Sequence, residues 1–288
     1  MYILAIETTG PVGSVAVIDV DVSGLSGQIP MKITTQSMSH LKNLIPMISE
    51  LLDEEQIGKD EICAVAASVG PGSFTGIRIG VSTARALAQA WDVPCISVPT
   101  LELFRQKCGN GVCVIFNARR GQVYGACYDG AGKVLIEPGP YMLIDMLDRI
   151  ENLGVEPVFY GDGVDAYFDS EEFRDGVSGY EATPEEERYQ TADMTAEYAR
   201  GVWKEYLAEK REHEAARSET DMSTKRETDS ASDDAECLYE HGRVVPYEEL
   251  LPDYMRESEA EQRLKDGSLE KMRKAKMEKF MKMAGKQF

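Results

Sequence analysis

Ile62-Cys63-Ala64-Val65-Ala66-Ala67-Ser68-Val69-Gly70-Pro71-Gly72-Ser73-Phe74-Thr75-Gly76 decides how this chain folds. Residues 62 to 67 form a continuous apolar run. A strand with one wet face alternates in polarity, so an unbroken run marks a strand covered on both sides. A Gly-rich turn follows, and a helix is predicted from about Gly76 to Trp91. A buried strand feeding a helix through a tight turn points to an α/β architecture.

Working outward, residues 2–6 and most of 14–20 are apolar or β-branched and flank Thr8-Thr9-Gly10-Pro11-Val12-Gly13, a hairpin pattern. A third extended stretch covers 29–35. Ser37 or Ser39 then caps a helix with Leu41, Leu44, Ile45, Ile48, Leu51 and Leu52 on one face. After the buried strand and second helix comes a short strand, 94–98, so the order is βββαβαβ. The order then begins again: strands at 112–117, 123–128 and 134–138, a helix carrying Met142, Leu143, Met146, Leu147 and Ile150, and a strand at 157–160 ending in Gly161-Asp162-Gly163. This is a repeat of architecture rather than of residues. The helix 192–207 is expected to complete the second lobe.

The expected organisation is a first lobe at 1–108 and a second at 109–208. A charged insertion follows at 209–240, read as a solvated helix extension running into a disordered segment, then a return to the fold at 241–256, and a basic helical tail at 257–288. Residues 209–236 hold ten acids against five bases and almost no large apolar side chain, too little apolar area to offset ordering entropy. The tail reverses the sign, with nine Lys+Arg against six Asp+Glu.

With 31 Lys+Arg and 50 Asp+Glu the net charge is −19, which excludes a protein that coats nucleic acid through a general basic surface. No run approaches the roughly 20 apolar residues of a membrane helix. Six cysteines without a CxxC pair suit a reduced, cytoplasmic chain.

Gly70 to Arg78 admits two readings: backbone N–H groups cradling an anion or carbonyl, or a tight strand-to-helix turn. No Walker A lysine is present. Gly76, Gly80, Ala84 and Ala88 recur every four residues and form a small-residue stripe, either an internal helix contact or a dimerisation surface. Glu7, Thr8 and Thr9 combine a carboxylate with hydroxyls that suit a metal-phosphate group. They can equally be turn residues. Asn117 stands at the matching strand end of the second lobe, with no second acid evident. His40, His213 and His241 form no metal-binding cluster, and no Gly-x-Ser-x-Gly elbow is present.

Five segments together resemble the TsaB (YeaZ) family, whose members take part in making N6-threonylcarbamoyladenosine in tRNA. They are residues 3–9 with 13–16, Ser39-His40 with 44–48, Gly70 to Gly80, Ala118 to Tyr124, and Leu251 to Arg256. The resemblance implies two duplicated βββαβα lobes of the actin, Hsp70 and sugar-kinase (ribonuclease H-like) type. It also implies a non-catalytic scaffold that dimerises, binds the catalytic relative TsaD, works with TsaE, and meets tRNA only through that complex. TsaD holds a metal through His-x-x-x-His, and the aligned positions here are Thr100 and Phe104. The expected partner face is His40, Leu41, Leu44, Ile45, Ile48, Gly76, Gly80, Val81 and Ala84. Glu7, Thr8, Thr9, Gly72, Ser73 and Thr75 are the candidates for a phosphate or nucleotide, weakly held at a complex interface. No catalytic residue, metal ligand, tightly bound cofactor or membrane contact is expected. The rival readings are a stand-alone ATPase or phosphotransferase of the same fold, and a peptidase.

Overall fold

The computed structural model describes residues 1–21, 28–34, 40–107, 111–168, 174–221 and 243–255. Met1–Asp253 form one compact unit; of the other, Tyr254–Phe288, residues 254 and 255 are described. The predicted caps Ser37 and Ser39, and the tail 257–288, lie outside the described residues.

The first sheet starts with β1 (Tyr2–Glu7), β2 (Gly13–Asp19) and β3 (Met31–Thr34), an antiparallel meander. Helix α1 (His40–Glu54) leads to β4 (Ile62–Gly70), which pairs parallel with β1. Helix α2 (Phe74–Trp91) and β5 (Cys95–Pro99), parallel to β4, follow. Every residue of β4 is buried, as its apolar run requires. A 3-10 stretch, Thr100–Lys107, leads onward.

The second sheet repeats the plan. An antiparallel meander of β6 (Val112–Arg119), β7 (Gln122–Tyr128) and β8 (Val134–Met142) is followed by α3 (Leu143–Leu153) and β9 (Val158–Tyr160), parallel to β6. Leu143, Met146, Leu147 and Ile150 of α3 are buried over this sheet beside Cys113, Ile115, Cys127 and Phe159. Each such side chain contributes about 1.5–3 kcal/mol by leaving water. Short helices α4 (Gly163–Tyr167), α5 (Arg174–Val177) and α6 (Glu185–Arg188) lead to the long α7 (Ala192–Asp221), and β10 (Val244–Val245) comes last. The sheet orders are β10-β5-β4-β1-β2-β3 and β8-β7-β6-β9. Third strand, second, first, then the strand after the helix: the same order stands in both. This is the duplicated lobe plan of the actin, Hsp70 and sugar-kinase type.

One expectation is corrected. Helix 192–207 does not complete the second lobe: α7 packs on β1, β2, β4 and β5 of the first sheet. The physical reason is the first sheet's need for cover on both faces. Alternate residues of β1 show it. Ile6 and Thr8 point at α2, so Ala5 and Glu7 point the other way, to α7. Within the predicted return at 241–256, the described residues 243–255 come back to that same sheet, where β10 pairs antiparallel with β5 and the Asp253 amide donates to the Val69 carbonyl at 2.8 Å.

Candidate functional site

Of the predicted phosphate residues, Glu7, Thr8 and Thr9 at the carboxyl end of β1 are closed off, while Ser73 and Thr75 of the turn after β4 are exposed. Glu7, Thr8 and Thr9 are 0, 1 and 2% exposed. Oε1 of Glu7 accepts hydrogen bonds from the Thr9 amide and the Thr9 hydroxyl, both at 2.6 Å. Thr9 Oγ1 in turn accepts from Gln190 Nε2 at 3.0 Å. The Ser68 and Thr195 hydroxyls stand nearby, 3.2 Å from one another, and Glu7 Oε2 has no partner at hydrogen-bond distance. Burial raises the Glu7 pKa above its ordinary 4.5, against the opposing hydrogen bonds. A neutral Glu7 carries a proton that makes a donor of its carboxyl group.

Thr8 turns to the opposite side of the sheet, where its hydroxyl donates to the Gly76 carbonyl at 2.7 Å. The structure therefore separates Thr8 from Glu7 and Thr9 instead of gathering all three around one ligand.

The Gly-rich turn uses its polar groups internally. The Ser73 amide donates to the Thr9 carbonyl at 2.7 Å, and Ser73 Oγ caps α2 by accepting from the Gly76 amide at 3.3 Å. A Cβ on Gly72 would lie 2.6 Å from the Thr9 carbonyl oxygen, and Gly70 has φ +125°. Steric closeness and backbone conformation thus explain both glycines. Thr75 is exposed.

The small stripe of α2 also faces inward. Gly76, Gly80, Val81, Ala84 and Ala88 are buried; a Cβ on Gly80 would lie 2.5 Å from Thr8 Oγ1, and one on Gly76 would overlap the Thr8 carbonyl. The stripe lets α2 settle on β1 and β4, so the expectation that it meets a partner helix is corrected. Leu44 and Ile48, 3 and 4% exposed, are buried likewise, with α1 packed on β2 and β3. Ile45 is 52% exposed and Phe74 39%, with the Arg78 guanidinium 4.0 Å above the Phe74 ring. The His40 and Leu41 side chains lie outside the described residues.

At the matching position of the second lobe, sequence reasoning missed Asp162. Its Oδ1 accepts from the Asn117 amide at 3.0 Å, and the Asn117 side-chain oxygen accepts from the Tyr167 hydroxyl at 3.0 Å. Burial pushes the Asp162 carboxyl up to about 6, opposed by the Asn117 amide. The available signal was Gly161-Asp162-Gly163 after an apolar strand. A Cβ on Gly163 would lie 2.8 Å from the Ile115 carbonyl oxygen, the counterpart of Gly76 against Thr8. Thr100 and Phe104, the positions matching the metal-holding imidazoles, are both fully buried and offer no imidazole donor. Among the described residues no group of three or more His, Cys, Asp and Glu is placed to hold a metal. An open groove of about 440 Å³ includes Gln106, Tyr198, Val202 and Arg243 in its lining; none of the predicted site residues lines it.

Comparison with known proteins matches this architecture. Residues 29–160 match a family profile described as "TsaD: tRNA N6-adenosine threonylcarbamoyltransferase". The TsaB protein of Bacillus subtilis, named for tRNA threonylcarbamoyladenosine biosynthesis, is 31% identical over 170 residues, covering 56% of this chain and 71% of that one. The Escherichia coli TsaB protein is 33% identical over 133 residues, 44% of this chain and 55% of its own length. The solved structure of YeaZ from Pseudomonas aeruginosa superposes with a TM-score of 0.57 at 21% identity, covering 88% of this chain and 99% of that one. A second solved structure, of an uncharacterized protein with similarity to peptidase YeaZ from the same organism, gives 0.61 at 20% identity over the same shares. The chain thus belongs to the TsaB (YeaZ) family of tRNA threonylcarbamoyladenosine biosynthesis proteins.

Proposed function

We propose that this protein is a non-catalytic scaffold subunit that binds TsaD and, together with TsaE, supports formation of N6-threonylcarbamoyladenosine in tRNA. The observation that carries the reading is the closed strand end: Glu7, Thr8 and Thr9 are at most 2% exposed and bonded to the chain's own groups. A nucleotide-processing centre needs those positions open to substrate and metal. The buried Thr100 and Phe104 support the same reading, because neither can supply the imidazole that would hold a metal.

The partner face is the outward side of α1 and α2, with Ile45 and Phe74 as its apolar anchors, rather than the small-residue stripe beneath. Exposed apolar side chains on adjacent helices are what a helix-packing partner buries. Alone, the chain uses this side to form a homodimer, which TsaD displaces. In this reading the complex works in the cytoplasm, tRNA is met through it, and nucleotide is held weakly at its interface.

The test is co-expression with TsaD of the same organism, purification through a tag on one chain, and mass by light scattering. A heterodimer replacing the homodimer is the expected result. Two folded chains that ignore one another would overturn the proposal.

A further inference from the structure

The core of the second lobe holds a pair of thiols that the proposed function leaves unused. Cys113 of β6 and Cys127 of β7 occupy directly opposed positions in the antiparallel register. Opposed residues place their side chains on one face of the sheet, with Cα atoms about 4.5–5.5 Å apart, inside the range a disulfide spans. Both side chains are fully buried in the cluster that includes Met146, Leu147 and Ile150 of α3. Neither is bridged.

The two thiols also shift one another's titration: burial raises the Cys113 pKa, while the neighbouring Cys113 thiol lowers that of Cys127. The other two described cysteines differ. Burial pushes Cys63 up to about 11 and Cys95 up to about 12, and neither has a cysteine opposite it across a strand pair. Thiolate character sets sulfur nucleophilicity, so geometry and acidity select the same pair.

We propose that Cys113 and Cys127 form a peroxide-responsive thiol pair, closing to a cross-strand disulfide within the second lobe. The Cys127 sulfur attacks one oxygen of hydrogen peroxide; the O–O bond breaks, an S–O bond forms, and the first water leaves. The Cys113 sulfur then attacks the Cys127 sulfur; the S–S bond forms as the S–O bond breaks, and a second water carries away the remaining oxygen. Two electrons pass from the thiols to the peroxide. Complete burial selects the oxidant by size. Hydrogen peroxide is scarcely larger than water, whereas glutathione disulfide cannot reach either sulfur without unfolding the lobe. The bridge closes a loop of 15 residues, counting 113 to 127 inclusive, and restrains the β6–β7 hairpin that carries Asn117.

The experiment treats the folded, full-length chain with hydrogen peroxide or with glutathione disulfide and maps the cysteines by mass spectrometry. A Cys113–Cys127 linked peptide lacking two hydrogens is expected from peroxide and not from glutathione disulfide. It should come with a rise in melting temperature of several degrees that is reversed when the chain is unfolded in urea with a dithiol and refolded. In Cys113→Ser, unfolding in urea with dimedone present, after the peroxide has been removed, should trap Cys127 as its sulfenic acid adduct, and in Cys127→Ser the linked peptide should be lost. Linkage seen only after unfolding in urea, or equally fast linkage by glutathione disulfide, would overturn the proposal. So would a sulfinic acid on Cys127 beside a free Cys113 thiol.

Discussion

The Ala192 amide donates to Ser14 Oγ at 2.8 Å, joining residues 178 apart in sequence. Ala192 is the first residue of α7, and Ser14 lies on β2 opposite Glu7. A helix start leaves its first amides without partners inside the helix; here a strand hydroxyl from the other end of the chain supplies one. The bond fixes where α7 meets the first sheet, directly over Glu7.

Ser14→Ala removes that acceptor at a position with no exposure. The buried amide is left unsatisfied, at a cost of about 1–2 kcal/mol. Urea denaturation should show a lower midpoint with an unchanged slope.

Two glycines should respond in opposite directions. Gly80→Leu forces a large side chain where even a Cβ would lie 2.5 Å from Thr8 Oγ1. It should destabilise the fold by at least about 1–3 kcal/mol, so any loss of partner binding in this variant would be secondary. Gly201 sits within α7, where an added Cβ would meet nothing within 4 Å. Gly201→Ala should stabilise by about 0.5–1 kcal/mol. Thermal melts of both variants check this.

Glu7 makes stability depend on pH. Its pKa is raised in the folded chain above the ordinary 4.5. Below 4.5 both states hold the proton. As pH rises beyond that, the unfolded chain releases it while the folded chain retains it, so the stabilisation falls and is lost once pH passes the folded value. Asp162, raised from 3.8 to about 6, acts with the same sign between those two values. Glu7→Gln removes the first contribution and leaves the second. The fall in urea midpoint between pH 5 and 8 should be smaller in Glu7→Gln than in the parent.

Ile45→Glu replaces a side chain that is 52% exposed, so the melting temperature should hardly move. Under the proposed function the same change places a charge within an apolar contact and should weaken binding to TsaD at least tenfold, read by titration calorimetry.

The strands and helices were legible because their periods are local. The 62–67 run announced a doubly covered strand, and the spacing of Leu143, Met146, Leu147 and Ile150 announced a helix with one buried face. What lies against a face is not local. The stripe Gly76, Gly80, Ala84 shows that something approaches closely; only the fold shows that it is Thr8. The same gap misassigned 192–207, because chain neighbours suggest a shared lobe while α7 crosses back to cover β1 and β2. Asp162 escaped notice because its role depends on Asn117, 45 residues earlier, which the parallel pairing of β6 and β9 brings beside it. The sequence offers Glu7 as a candidate phosphate contact, but a carboxylate in a sequence does not disclose that Gln190 and α7 will seal the strand end.

The most direct measurement of the central claim is threonylcarbamoyl transfer to tRNA, with labelled threonylcarbamoyl-adenylate as donor, for TsaD and TsaE with and without this chain and for this chain alone. The account predicts no transfer by the chain alone and sustained transfer only when it joins TsaD and TsaE. Transfer by the isolated chain, abolished by Glu7→Gln, would contradict it.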